Sequence, residues 1–142
     1  MRVLMTKDRA RFKGRHFELD GASYHPKPIQ KPHPPIWIGA SGEQLMLPIV
    51  ARQADAWHAF GSDQTLATKS QLLDELAEKA GRDPGRILRS ASLSLSRPWD
   101  QVRRRAAKLR ETGFGYLIAE WPSEGRGRLE GFVEKLLPEL TQ

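Results

Sequence analysis

The chain has 142 residues, 39% of them hydrophobic, with a net charge of +6 and no cysteine. That length favours a single domain spanning 1–142, no run of about 18 apolar residues is available to cross a membrane, and the absence of cysteine excludes disulfides and thiolate metal sites. The basic start, Met1 to Lys13, lacks the apolar stretch of a signal peptide, so a cytoplasmic location is expected.

The positive charge is unevenly placed. Residues 1–40 hold eight Lys/Arg against three Asp/Glu, and residues 41–142 hold fifteen against fourteen. A second basic cluster is Arg103, Arg104, Arg105, Lys108 and Arg110. At helical spacing these spread around the circumference, with no aromatic residue between them for base stacking. They read as a solvated helix face, and nucleic acid is not expected as a partner.

Met1 to Phe12 reads as the tail of a helix that Gly14 stops. RHFELDGASY then alternates around an Asp20-Gly21 turn signal, as a small hairpin or extended arm would. The prolines of residues 25–35 force each preceding residue towards extended geometry, which predicts a surface connector. Pro35 to Gly39, PIWIG, is apolar without alternation, the pattern of a strand buried on both faces.

A helix over about 43–53 follows, with Leu45, Met46, Ile49 and Val50 on its apolar side; Pro48 signals a kink or a late start. Asp55 to Phe60 predicts a second strand, and 65–80 a helix that Gly81 stops. GRDPGRI is a turn. Ile87 to Leu95 is a third strand, its serines implying less burial. Trp99 to Thr112 is a helix, Gly115 to Glu120 a fourth strand, and 126–137 a last helix ended by Pro138. Short strands separated by helix-length crossovers predict an α/β fold with parallel strands. The pattern leaves open whether the sheet closes.

In parallel α/β folds ligands sit at the carboxyl ends of strands. The informative loops are therefore GASGE (39–43), FGSDQ (60–64), SRPWD (96–100) and EWPSEG (120–125). The first two are rich in Gly and Ser and lead into helices, where backbone N–H groups can approach an anion or a flat ring. The same residues serve any strand-to-helix turn. GASG is not the GxGxxG pattern, and GxxxxGK[ST] is absent. His16, His25, His33 and His58 lack metal-ligand spacing, and His58 reads either as a core histidine or as a barrel-lumen residue. Trp37 and Trp57 read as core. Trp121 and Glu120 stand at a strand end, where one could face a ligand and the other serve as acid or base. No nucleophilic triad can be assembled, and no catalytic residue is assigned.

FKGRHFELDGASYHPKPIQKPHPPIWIGASGE followed by IVARQADAWHAFGS resembles the C-terminal portion of luciferase-like monooxygenases, and within them the branch that includes oxidoreductases using the deazaflavin coenzyme F420. The similarity rests on the Pro-rich approach, the Ile-Trp-Ile-Gly strand, the Gly/Ser loop and Ala54-Asp55-Ala56-Trp57, where the family has an ADGW-type element. It implies the C-terminal half of a (β/α)8 TIM barrel, about four parallel strands alternating with helices over 35–142, preceded over 1–34 by a helix tail, hairpin and Pro-rich arm.

It further implies a flavin- or F420-dependent oxidoreductase or monooxygenase, or the cofactor-binding half of one, with FMN or F420 as cofactor. Ala40, Ser41 and Gly42 would lie against the ring; Phe60, Gly61 and Ser62 would hold the phosphate or ribityl tail. The N-terminal half, with the substrate pocket and most catalytic residues, is not in this chain. Open strand edges then imply a homo-oligomer or pairing with a separate N-terminal half. The alternative is a truncated, non-catalytic homologue that acts through oligomerisation.

Overall fold

A computed structural model describes residues 1–141. They form two compact units, one ending at Pro35 and one beginning at Ile36.

In the first unit a short helix, α1 (Arg2–Thr6), precedes an antiparallel hairpin of β1 (Ala10–Lys13) and β2 (Glu18–Ala22). Two expectations are corrected here. The helix expected to reach Phe12 ends at Thr6, because residues 10–13 pair as a strand. The hairpin does not turn at Asp20-Gly21. It turns at 14–17, where the Gly14 N–H donates to the Phe17 carbonyl at 2.9 Å.

Gly21 instead lies inside β2 with φ 69°. There the register slips from Ala10↔Ala22 to Phe12↔Leu19. Two steps along β1 meet three along β2, which is a β-bulge, and its left-handed φ favours glycine. The proline arm that follows contains no helix or strand. Lys27 ties it back within the unit by donating to the carbonyls of Leu4 and Lys7.

The second unit alternates strand and helix: β3 (Trp37–Gly39), α2 (Met46–Gln53), β4 (Ala56–Ala59), α3 (Asp63–Lys79), β5 (Leu88–Ser94), α4 (Trp99–Glu111) and β6 (Tyr116–Glu120). The strands are parallel, in the spatial order β3-β4-β5-β6. The chain ends in α5 (Arg126–Gly131), a π turn (Phe132–Leu136) and α6 (Leu137–Leu140). Pro138 does not end this last helix, contrary to expectation. It falls in the first turn of the segment after the π turn, where its missing N–H is not needed.

Side chains alternate across the sheet, and its two faces differ. On the helix side Trp57 is fully buried and meets Phe114 at 5.8 Å between ring centroids. Leu47 and Val50 from α2, and Leu66 and Leu73 from α3, complete that core. The opposite face is largely bare: Trp37, Leu88, Tyr116 and Ile118 are each 40–48% exposed, while Ala56 and Ser90 between them are buried.

β3 and Trp37 are therefore not the doubly buried core that an apolar PIWIG predicts. β3 is an edge strand with a neighbour on one side only, and β6 is the opposite edge. Serine content also misleads in β5, where Ser90 is fully buried because its hydroxyl finds a partner in His58. In α2, Pro48 gives the late start, near the helix N-terminus where no donor is missed. The buried positions there are Leu47, Val50 and Ala51, while Leu45 is exposed.

Candidate functional site

Gly39 and His58 are opposite each other on parallel neighbours β3 and β4. The loops that follow, 40–43 and 60–62, thus leave the sheet side by side, and Ala40, Ser41, Gly42, Phe60, Gly61 and Ser62 come together at one end. Gly39 leaves room beside them, since a Cβ there would sit 3.9 Å from the Phe60 ring.

The first loop is braced from three sides. The Trp57 indole Nε1–H donates to the Ala40 carbonyl at 2.8 Å. The Ala40 N–H donates to the His58 carbonyl at 3.2 Å. Lys69, on α3, donates to the Ser41 carbonyl, and its ammonium stands 3.7 Å from the Glu43 carboxylate. At the other end of β3, the Ile36 N–H donates to the Asp55 carboxylate at 2.8 Å. Asp55 and Trp57 of the ADAW element therefore grip β3 at both ends, which gives that motif a physical role. The Ser41 hydroxyl oxygen is buried and has no hydrogen-bond partner among the described residues, an arrangement that costs about 1–3 kcal/mol unless a ligand or water answers it.

In the second loop, Gly61 has φ 138°, a left-handed value that favours glycine. Ser62 is the N-cap of α3; its hydroxyl oxygen accepts the Thr65 N–H at 3.2 Å. That cap uses the hydroxyl, so any anion here would rely on backbone N–H groups. Asp63 adds a negative charge in the first turn, with the Arg105 guanidinium 3.6 Å away.

His58 resolves the alternative left by its pattern: it lies half-buried on the bare face. Its Nδ1 is 3.0 Å from the Ser90 hydroxyl, and its ring meets Phe60 edge-on at 4.7 Å between centroids. Neither Lys69 nor the His58–Ser90 pair emerges from sequence motifs, because each joins residues about thirty positions apart. A signal existed for Lys69. It sits three residues after Leu66 and four before Leu73, both buried, so a lysine occupies the apolar stripe.

Glu120 and Trp121 belong to a different place, three strands away at the β6 edge. Glu120 is exposed, and Trp121 lines a shallow hollow with Arg126, Leu129 and Val133. Nearby, the loops after β5 and β6 are joined: the Ser123 N–H donates to the Ser96 hydroxyl oxygen at 2.9 Å. The Ser123 hydroxyl also donates to Glu124 at 2.8 Å and holds that carboxyl below its ordinary range. Four of the five basic residues of the α4 cluster pair with acids, Arg103 with Glu139, Arg104 with Asp100, Lys108 with Glu111 and Arg105 with Asp63, and Arg110 donates to the Leu140 carbonyl. Among the described residues no group of three His, Asp or Glu is placed to hold a metal ion, and no helix is long and apolar enough to cross a membrane.

Known proteins share this alternation of parallel strands and helices. The family model described as luciferase-like monooxygenase matches residues 1–136. An uncharacterised protein of Mycobacterium tuberculosis is 28% identical over 141 residues, 99% of this chain and 48% of the relative. The F420-dependent hydroxymycolic acid dehydrogenase of the same organism is 31% identical over 109 residues, 77% of this chain and 29% of that protein. Among solved structures, the coenzyme F420-dependent tetrahydromethanopterin reductase of Methanopyrus kandleri superposes with a TM-score of 0.83 at 12% identity, over 98% of this chain and 60% of that one. The chain spans about half the length of the curated relatives it matches most extensively. Four parallel strands with both edges open thus form part of a (β/α)8 barrel, and the chain is a member of the luciferase-like monooxygenase family.

Proposed function

We propose that this chain is the cofactor-binding part of a flavin- or F420-dependent oxidoreductase. Ala40, Ser41 and Gly42 lie against the flavin or deazaflavin ring. Backbone N–H groups around Phe60, Gly61 and Ser62 hold the phosphate or the ribityl tail. The observation that carries this reading is the adjacency of the two loops at the carboxyl ends of β3 and β4. The unanswered Ser41 hydroxyl fits the same group, because a ring edge rich in carbonyls and nitrogens would give it a partner.

When bound, the cofactor supplies hydride transfer or the activation of oxygen. The residues of this chain orient it. Lys69 and Trp57 fix the path of the 40–42 backbone, Gly42 allows close approach, and the Phe60 ring walls the space beside Gly39. The bare face and the open edges of β3 and β6 call for a second copy of the chain or a separate N-terminal half before the work is complete. The protein then acts in the cytoplasm.

The test is Ser41→Trp and Gly42→Trp against the unmodified chain, titrated with FMN and with F420. A bulky ring in the loop should abolish binding while the circular dichroism shows the fold intact. Full affinity in both variants would remove Ser41 and Gly42 from the site.

A further inference from the structure

The register of the sheet arranges its bare face in levels. Trp37, Ala56 and Leu88 share one level; Gly39, His58, Ser90 and Tyr116 share the next. Trp37 and Tyr116, on opposite edge strands, meet edge-on at 5.2 Å between ring centroids. They close the amino-terminal end of the concavity. The other end opens towards the loops 40–43 and 60–62. At the middle level one strand offers no side chain, Gly39, and its neighbour offers an imidazole.

That imidazole is built in rather than adrift. Ser90, fully buried, stands 3.0 Å from Nδ1. Phe60 packs edge-on against the ring. Among the described residues Nε2 has no hydrogen-bond partner, although the side chain is half-buried. A histidine held at one nitrogen, with the other facing a concavity, has its tautomer and direction fixed by the first bond. Ser92 and Ser94 of β5 and Glu120 of β6 lie on the same face nearer the loop end, but on β3 and β4, the strands that lead into the 40–43 and 60–62 loops, the polar side chain of this face is His58.

From this arrangement we infer that His58 is a ligand-contacting residue: its Nε2–H donates to the inner edge of a planar heterocycle seated on the 40–42 loop, and Ser90 is the positioning residue that donates its hydroxyl proton to Nδ1. The inference rests on the ring-binding reading above and adds to it the side chain that reads the ring edge. The ligand it selects is a ring with a carbonyl or ring-nitrogen acceptor on the side that enters the concavity. Gly39 belongs to the same device, since it adds no side chain to the space between Phe60 and the ring-binding loop; a Cβ there would come into van der Waals contact with Phe60 at 3.9 Å.

FMN and F420 serve as probes, with the full chain and its variants followed by fluorescence, and the His58 ring nitrogens followed by long-range proton–nitrogen spectra. In the free protein Nε2 should be the protonated nitrogen. Addition of FMN or F420 should move the Nε2 signal. His58→Ala should weaken binding about tenfold, as loss of one buried hydrogen bond implies. His58→Gln, which keeps a donor, should recover part of it. Ser90→Ala should leave Nε2 present but lose the single tautomer, with a smaller loss of affinity.

Binding by the unmodified chain, together with an unmoved Nε2 signal and unchanged affinity in a folded His58→Ala variant, would overturn the role of His58 and leave the loop site standing. Failure of the unmodified chain to bind either probe would overturn both.

Discussion

The two faces of the four-stranded sheet are built to different standards. On the helix side, Trp57, Ala59, Ala91 and Leu93 are at most 2% exposed and interlock with three helices. On the other, Trp37, Leu88, Tyr116 and Ile118 stand 40–48% open. Alternation along the same strands supplies both faces, so the difference lies in what covers them. The helix side is completed by this chain, and it carries the fold. Under the proposed function, the bare side gains its cover from outside the chain or from a ligand, and it carries the binding chemistry. Substitutions on one side should act on stability, and on the other on affinity and association.

The largest expected effect breaks the covered side. Trp57→Ala removes a buried ring and the hydrogen bond to Ala40, and should cost about 3–5 kcal/mol in urea unfolding. Trp37→Ala, the same change on the bare face, should cost less than about 1 kcal/mol. Equal losses would erase the distinction between the faces.

Asp74→Asn is next. Arg89 points to the helix side with 10% of its side chain exposed and pairs with Asp74. Removing the carboxylate leaves a largely buried guanidinium without its counter-charge, at a cost of about 1–3 kcal/mol, moderated because Asp74 itself is half-open. Chemical denaturation reads this directly.

Lys69→Met sharpens the comparison, since Lys69 belongs to the helix layer but acts on the loop. It should lower stability by about 1 kcal/mol while reducing FMN or F420 affinity more than the stability loss explains, and Lys69→Arg should restore part of the affinity. Ile118→Lys, on the open β6 edge, should leave the melting temperature unchanged and lower the solution mass wherever copies associate through that edge.

The smallest effect concerns Arg103 and Glu139. Arg103 donates to the Glu139 carboxylate and holds it below its ordinary range. A carboxyl depressed in the folded state contributes above its unfolded pKa of about 4.3 and loses that contribution as pH falls through the lower folded value. Glu139→Gln should therefore remove a small contribution that is present at pH 7 and flatten the acid limb of the stability profile slightly, with the two proteins converging below the folded pKa, as expected for an exposed pair.

Much of this architecture is legible in the sequence. The strand–helix alternation, the Gly81 stop and the position of the two Gly/Ser loops at the carboxyl ends of strands follow from local patterns and from the rule for parallel sheets. The misread places have physical causes. Asp20-Gly21 has turn chemistry, yet a bulge needs the same left-handed glycine. PIWIG is apolar enough for a central strand, but burial depends on a neighbour that a half-sheet lacks. The serines of β5 look solvated until His58, thirty-two residues earlier, provides a partner. Long-range partners such as Lys69 and Ser41 leave no motif, only a lysine out of place on a buried stripe.

The most direct test of the central claim is a titration of the purified chain with FMN and with F420, followed by fluorescence, with its mass measured by light scattering on the same samples. Micromolar binding of at least one of them by an assembly larger than one chain is the expected result. A well-folded chain that binds neither, at any mass, would contradict the assignment of the 40–42 and 60–62 loops to a flavin-type cofactor.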